Sequence, residues 1–225
     1  MGGRIDFALN HITTPRLDIR AFIDLAARIG CLGVELRNDL ADKKLADRPF
    51  FDGDEPDAIG AYARRKGIRL LGLSEVYGFN RWSEEMRAKL ERLIKQAKES
   101  GAKSISLIPS NDGAVVTDEA RLAGLRHALQ EILPMVELAN IVALVEPLGF
   151  PTSSLGRKRE AVEAIEAVGG RGRYKLVHDT FHHYLAAHYT GVFSYEPFAT
   201  SVHAASDIEG DLRASMALIE AGIAP

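Results

Sequence analysis

Apolar residues along the chain fall into short runs of about five to seven, each opened by a glycine or a turn and closed by polar side chains. The runs are R-I-D-F-A-L-N-H, L-G-V-E-L-R-N-D, G-I-R-L-L-G-L-S-E, A-K-S-I-S-L-I-P-S-N, I-V-A-L-V-E-P, Y-K-L-V-H-D-T and G-V-F-S-Y-E-P. They predict seven strands, nearly continuously apolar, as expected for a parallel sheet covered on its outer face. Between most of them lie stretches with apolar residues at helical spacing, such as Leu17, Phe22, Ile23, Ala26 and Ile29, or Met86, Leu90, Leu93, Ile94 and Ala97. Asp18 and Ser83 are placed to cap helix starts, and Gly30, Gly67 and Gly101 to end helices just before the next strand.

The first six strand starts are spaced by roughly 28 to 38 residues, the size of one βα unit. Repetition of that unit, with polar groups collected at strand C-termini, favours an α/β fold of the (β/α) TIM-barrel type over a doubly wound sheet. No G-x-G-x-x-G follows a first strand, which removes the dinucleotide-binding alternative. One interval breaks the rhythm: only about ten residues separate V-H-D-T from G-V-F-S-Y-E, fewer than a parallel crossover needs. The expectation is a barrel lacking its seventh βα unit, with residues 1–225 as a single domain.

Composition narrows the chemistry. No apolar run approaches the roughly 20 residues of a membrane span, and the first residues lack the zones of a secretory signal, so the expected location is cytoplasmic. The single Cys31 excludes an intrachain disulfide and a thiolate metal cluster, leaving oxygen and imidazole as metal ligands. A net charge of −3 gives no electrostatic reason for a nucleic-acid partner. The basic triplets Arg64-Arg65-Lys66 and Arg157-Lys158-Arg159 read as solvated faces.

In such a barrel, chemistry gathers where the strands end. The strand ends deliver Asn10 and His11, Glu35 and Arg37, Glu75, Ser110 and Asn111, Glu146, Asp179 with His182, and Glu196. Glu146 in L-V-E-P-L-G and Glu196 in S-Y-E-P-F each close an apolar run and are fixed by a following proline. A carboxylate there is costly unless it is paired, hydrogen-bonded or bound to a cation, and three carboxylates at one mouth repel unless a divalent ion sits among them. His182 is expected in the site, His178 on the opposite side of its strand, and His183 at the surface. His11 is open to two roles, substrate contact or a rim hydrogen bond. Glu35, Glu75 and Arg37 are candidates for substrate hydroxyls, with pairing to one of the glutamates the other reading of Arg37. Trp82 reads as a lid or helix-packing residue.

Three motifs, L-V-E-P-L-G-F (Leu144 to Phe150), H-D-T-F-H (His178 to His182) and S-Y-E-P-F (Ser194 to Phe198), together with R-L-D-I-R-A-F-I-D-L-A-A-R-I-G-C-L-G-V-E-L-R, resemble the xylose isomerase-like TIM barrels. That family comprises sugar isomerases, 3-epimerases and inosose isomerases or dehydratases. The resemblance implies a divalent ion (Mn, Mg, Co or Zn) held by Glu146, Asp179 and Glu196, with His182 near the substrate. It implies Glu146 and Glu196 as an acid/base pair acting through a cis-enediolate on a small sugar, keto-inositol or related polyol, in carbohydrate or inositol catabolism. The fourth ligand of the family, a histidine on the seventh strand, has no counterpart between His183 and Gly191, and His188 does not sit at a strand end. The alternatives are a non-catalytic sugar-binding relic of the barrel and an endonuclease IV-like phosphodiesterase. The latter is disfavoured by seven histidines, mostly away from strand ends, and by the acidic charge. No membrane partner is expected, and self-association as a homo-oligomer is left open.

Overall fold

The computed structural model describes residues 5–177 and 192–223. Two compact units divide the chain: Met1–Gly72 with Ala186–Pro225, and Leu73–Leu185. All seven predicted strands form; the first pairs in parallel with the second and the seventh, and the fifth with the fourth and the sixth.

In the first unit, β1 (Asp6–Asn10) lies between β2 (Gly33–Arg37) and β7 (Val192–Tyr195). Asn10 stands opposite Glu35, and Leu9 opposite Tyr195, so residues at the ends of three strands share one level. Helices α1 (Ile19–Ile29), α2 (Pro56–Arg65), α6 (Thr200–His203) and α7 (Ile208–Ile223) belong to this unit. Helix α1 starts as expected: the Asp18 side chain accepts from the Ala21 N–H at 2.7 Å, and Gly30 ends the helix with φ 83°. Its apolar stripe, Phe22, Ile23, Leu25 and Ala26, is buried. Burial of each large side chain of this kind contributes roughly 1.5 to 3 kcal/mol.

Gly33 opens β2 because nothing larger fits there. A Cβ would stand 2.5 Å from the Arg69 carbonyl oxygen and 2.7 Å from Leu71 Cγ, both in the first half of β3 (Arg69–Tyr77).

In the second unit the strand order is the end of β3, then β4 (Ser104–Ile108), β5 (Val142–Val145) and β6 (Tyr174–Leu176). Helices α3 (Glu84–Ser100), α4 (Asp118–Ala139) and α5 (Lys158–Ala167) connect them. Ser83 caps α3 through the Met86 N–H, and Gly101 closes it at φ 81°. The core holds Leu73, Phe79, Leu90, Ile105, Leu107, Leu129 and Val145. Trp82 stacks under the Arg87 guanidinium of α3 at 5.3 Å, a helix-packing contact. Strand repetition followed by helix is thus the α/β, TIM-type pattern, and β7 follows β6 after only fifteen residues, where a complete βα unit would need about twice as many.

Candidate active site

The polar end of the first unit is built from three neighbouring strands. Alternation along β2 sends Val34 and Leu36 into the fully buried apolar side and turns Glu35 and Arg37 to the other. On β1 the same alternation buries Leu9 and presents Asn10, and beyond β7 it presents Glu196. The Asn10 side-chain nitrogen donates to Glu35 Oε2 at 3.0 Å and to Glu196 Oε1 at 3.2 Å, so one amide holds two carboxyl groups together.

Arg37 completes the group. Its Nε and Nη2 donate to the two Asp39 oxygens at 2.7 and 2.6 Å, a fork that fixes the guanidinium plane. Its Nη1 donates to Glu196 Oε1. The Arg37 side chain is 3% exposed and that of Asp39 9%, whereas Glu196 keeps 30%. Phe198, two residues beyond Glu196, places its ring 5.6 Å from the guanidinium carbon. Lys43 adds a second cation to Asp39 at 3.0 Å. Burial pushes the Asp39 carboxyl up, but the hydrogen bonds and charges of Arg37 and Lys43 outweigh it and hold it below its ordinary value.

Glu35 is the opposite case. Burial raises its carboxyl above the usual 4.5, and hydrogen bonds from Asn10 and Ser194 and the Arg37 charge offset only part of that. Because the folded value lies above the unfolded one, the stability present below about pH 4.5 is lost as pH rises through the folded pKa. Glu35→Gln removes this loss. The variant is expected to melt higher than the parent near neutral pH and equally in acid, which melting curves across that range will check; parallel curves would remove the buried carboxyl from the account.

His11 directly follows β1 and makes a rim hydrogen bond. Its ring is buried at 2%, Nε2 bonds the Leu17 carbonyl oxygen at 2.9 Å, and it stacks on Phe22 at 4.5 Å. Burial lowers its pKa, so the neutral form is favoured. Arg48 grips the same loop through the Pro15, Arg16 and Leu17 carbonyl oxygens and holds Asp52, whose Oδ2 accepts from the Ile19 N–H at 2.5 Å.

The remaining candidates belong to the second unit. Glu146 follows β5 directly, its N–H bonded to the Leu107 carbonyl oxygen at 3.2 Å. Glu75 sits in β3 after a cis peptide bond from Ser74. Ser110 is consumed in loop structure: its N–H donates to Asn80 Oδ1 and its hydroxyl meets Ser154 at 2.8 Å. Asn111 bonds the Tyr77 hydroxyl and Thr152. Asp179, His182, His178, His183 and His188 lie outside the described residues.

Among the described residues no group of three His, Cys, Asp or Glu side chains is placed to hold a metal ion. Glu196 is a strand-end carboxylate whose Oε1 accepts from the Arg37 guanidinium and the Asn10 amide. Sequence reasoning identified Arg37 as a partner for a glutamate but missed Asp39, whose signal was the R-N-D spacing just past β2.

The family description that matches this chain, over residues 23–217, is the xylose isomerase-like TIM barrel. The chain belongs to that family. Among solved structures, a xylose isomerase domain-containing protein from Salmonella typhimurium is similar at 25% identity, covering 97% of this chain and 99% of that one with a TM-score of 0.83. The IolI protein, solved with a bound zinc atom, is 16% identical over 96% of this chain and 97% of that one, with a TM-score of 0.80. D-psicose 3-epimerase from Clostridium cellulolyticum, solved with D-tagatose, is 15% identical over 82% and 67%, with a TM-score of 0.65. The last two likenesses carry the fold of the xylose isomerase-like barrel alone. No curated protein sequence matches the chain.

Proposed function

We propose that this xylose isomerase-like barrel is a sugar or polyol isomerase or epimerase that moves a proton next to a carbonyl. The observation that carries the reading is the strand-end group Asn10, Glu35, Arg37 and Glu196, in which two carboxyl groups sit in unlike environments on one amide. Within that group Glu196 is the carboxylate read as an acid/base residue, and Glu35 beside it is left for the substrate side. Family membership and the zinc-bound and D-tagatose-bound relatives support the substrate class and a divalent ion.

The ligand set that the motifs imply is Glu146, Asp179 and Glu196, all oxygen donors, which suits Mg²⁺ or Mn²⁺ better than Zn²⁺. When bound, such an ion would polarise the substrate carbonyl and lower the cost of removing the neighbouring proton. Glu196 and Glu146 are the acid/base pair: one carboxylate takes the carbon-bound proton, the C–H electron pair becomes the double bond of an enediolate, and a protonated carboxyl returns a proton to carbon. His182, His11, Glu35 and Glu75 are the substrate-side candidates.

The test is proton exchange. Purified protein with Mn²⁺, offered D-tagatose or a keto-inositol in deuterated water, is expected to place deuterium on the carbon next to the carbonyl. Ligand binding without exchange at any such carbon would instead identify a sugar-binding protein that has lost turnover.

A further inference from the structure

An exposed aromatic ring stands two residues past the carboxylate that closes β7. Phe198 is 57% exposed, and among the large apolar side chains described in the first unit only Leu218 of α7 is exposed with it. So little apolar surface is far short of the roughly 800 Å² that a protein partner covers on each side, but one ring matches one small molecule. We propose that Phe198 is a stacking platform for the C–H face of the sugar or polyol, holding the carbon skeleton of the ligand beside Glu196. The inference rests on the reading of this strand end as the sugar site.

Three observations carry it. Phe198 and Glu196 meet the same guanidinium: Arg37 Nη1 donates to Glu196 Oε1, and the guanidinium carbon stands over the Phe198 ring, 5.6 Å from its centroid. One face of the ring is therefore taken, while more than half of the residue stays open to a ligand. That guanidinium is itself fixed, 3% exposed and forked onto both Asp39 oxygens at 2.7 and 2.6 Å, so ring and carboxylate share one rigid reference. The link between them is held as well: Pro197 has a locked φ, and its carbonyl oxygen accepts from His203 Nε2 of α6 at 3.0 Å. An aromatic face carries partial negative charge, and hydrogens on hydroxyl-bearing carbons carry partial positive charge, so a sugar lies on the ring by its C–H side and leaves its hydroxyls to polar groups.

The experiment measures binding of D-tagatose and of myo-inositol to the full chain by calorimetry, for the parent, Phe198→Tyr, Phe198→Leu and Phe198→Ala. Tyrosine keeps the aromatic face, leucine keeps only an apolar cover on Arg37, and alanine keeps neither. Phe198→Tyr is expected to bind like the parent, Phe198→Leu roughly 2- to 10-fold more weakly, the fold-change that a stacked aromatic contact supplies beyond its area, and Phe198→Ala more weakly still. In the D-tagatose exchange assay the same factors should appear in KM, because a platform holds substrate and transition state alike. Equal affinity across the series overturns the inference. So does a Tyr variant as weak as the Leu variant, since the aromatic face is then not what the ligand meets, and so does a loss confined to kcat, which makes the ring a brace for Arg37. Binding that follows the series without any exchange supports the platform and removes the isomerase reading; exchange that is indifferent to Phe198 does the reverse. Absence of both binding and exchange in the parent removes both.

Discussion

Replacing Glu196 by Gln is expected to lower deuterium exchange into a ketose by about 10²- to 10⁴-fold while the fold persists, and Glu146→Gln is expected to do the same. The amide keeps the size of the carboxylate and can still accept from Arg37 and Asn10, so packing at the end of β7 is retained. What the amide cannot do is take a proton. Because the same carboxylates are also read as metal ligands, exchange is compared at saturating Mn²⁺, where the lost proton transfer should fall on kcat. Rapid exchange in either variant would strike that residue from the mechanism. If Glu196→Gln alone retains exchange, Glu35, which shares the Asn10 amide, becomes the next carboxyl to test.

Much of this arrangement was legible before any coordinates. Short apolar runs, helical spacing and glycine punctuation placed all seven strands, and Asp18, Ser83, Gly30 and Gly101 cap their helices as their residue types require. Local chemistry of that kind is written in a few neighbouring residues. The site was readable as a roster of strand ends and no further, because which strand end touches which depends on register across strands far apart in sequence. Asn10 and Glu196 are 186 positions apart yet 3.2 Å from each other. The roles of His11 show the same limit: spacing put it at a strand end, but only packing reveals the ring committed to Leu17 and Phe22. Asp39 escaped notice because a charged residue just past a strand usually faces water, and nothing local says that this one is buried against Arg37.

That buried pair supplies the largest expected change in stability. Asp39→Ala leaves the Arg37 guanidinium, 3% exposed, without the fork that balances its charge. Removing one partner of a buried ion pair costs roughly 3 to 5 kcal/mol, because the remaining charge stays out of water without compensation. Glu196 still accepts from Nη1, which holds the cost toward the lower end of that range. Asp39→Asn, which preserves shape and one acceptor, should lose less, and pairing Asp39→Ala with Arg37→Met should recover much of the loss since no charge is then stranded. The pH dependence carries an independent signature. The Asp39 carboxyl lies below its ordinary 3.8 in the folded chain, so its stabilisation is present above the unfolded value and disappears as pH falls through the folded one. Denaturant titrations of the parent should show that acid limb, and those of Asp39→Ala should show less of it. A loss below about 1 kcal/mol near neutral pH would instead place the pair among surface ion pairs in energetic terms, despite its burial.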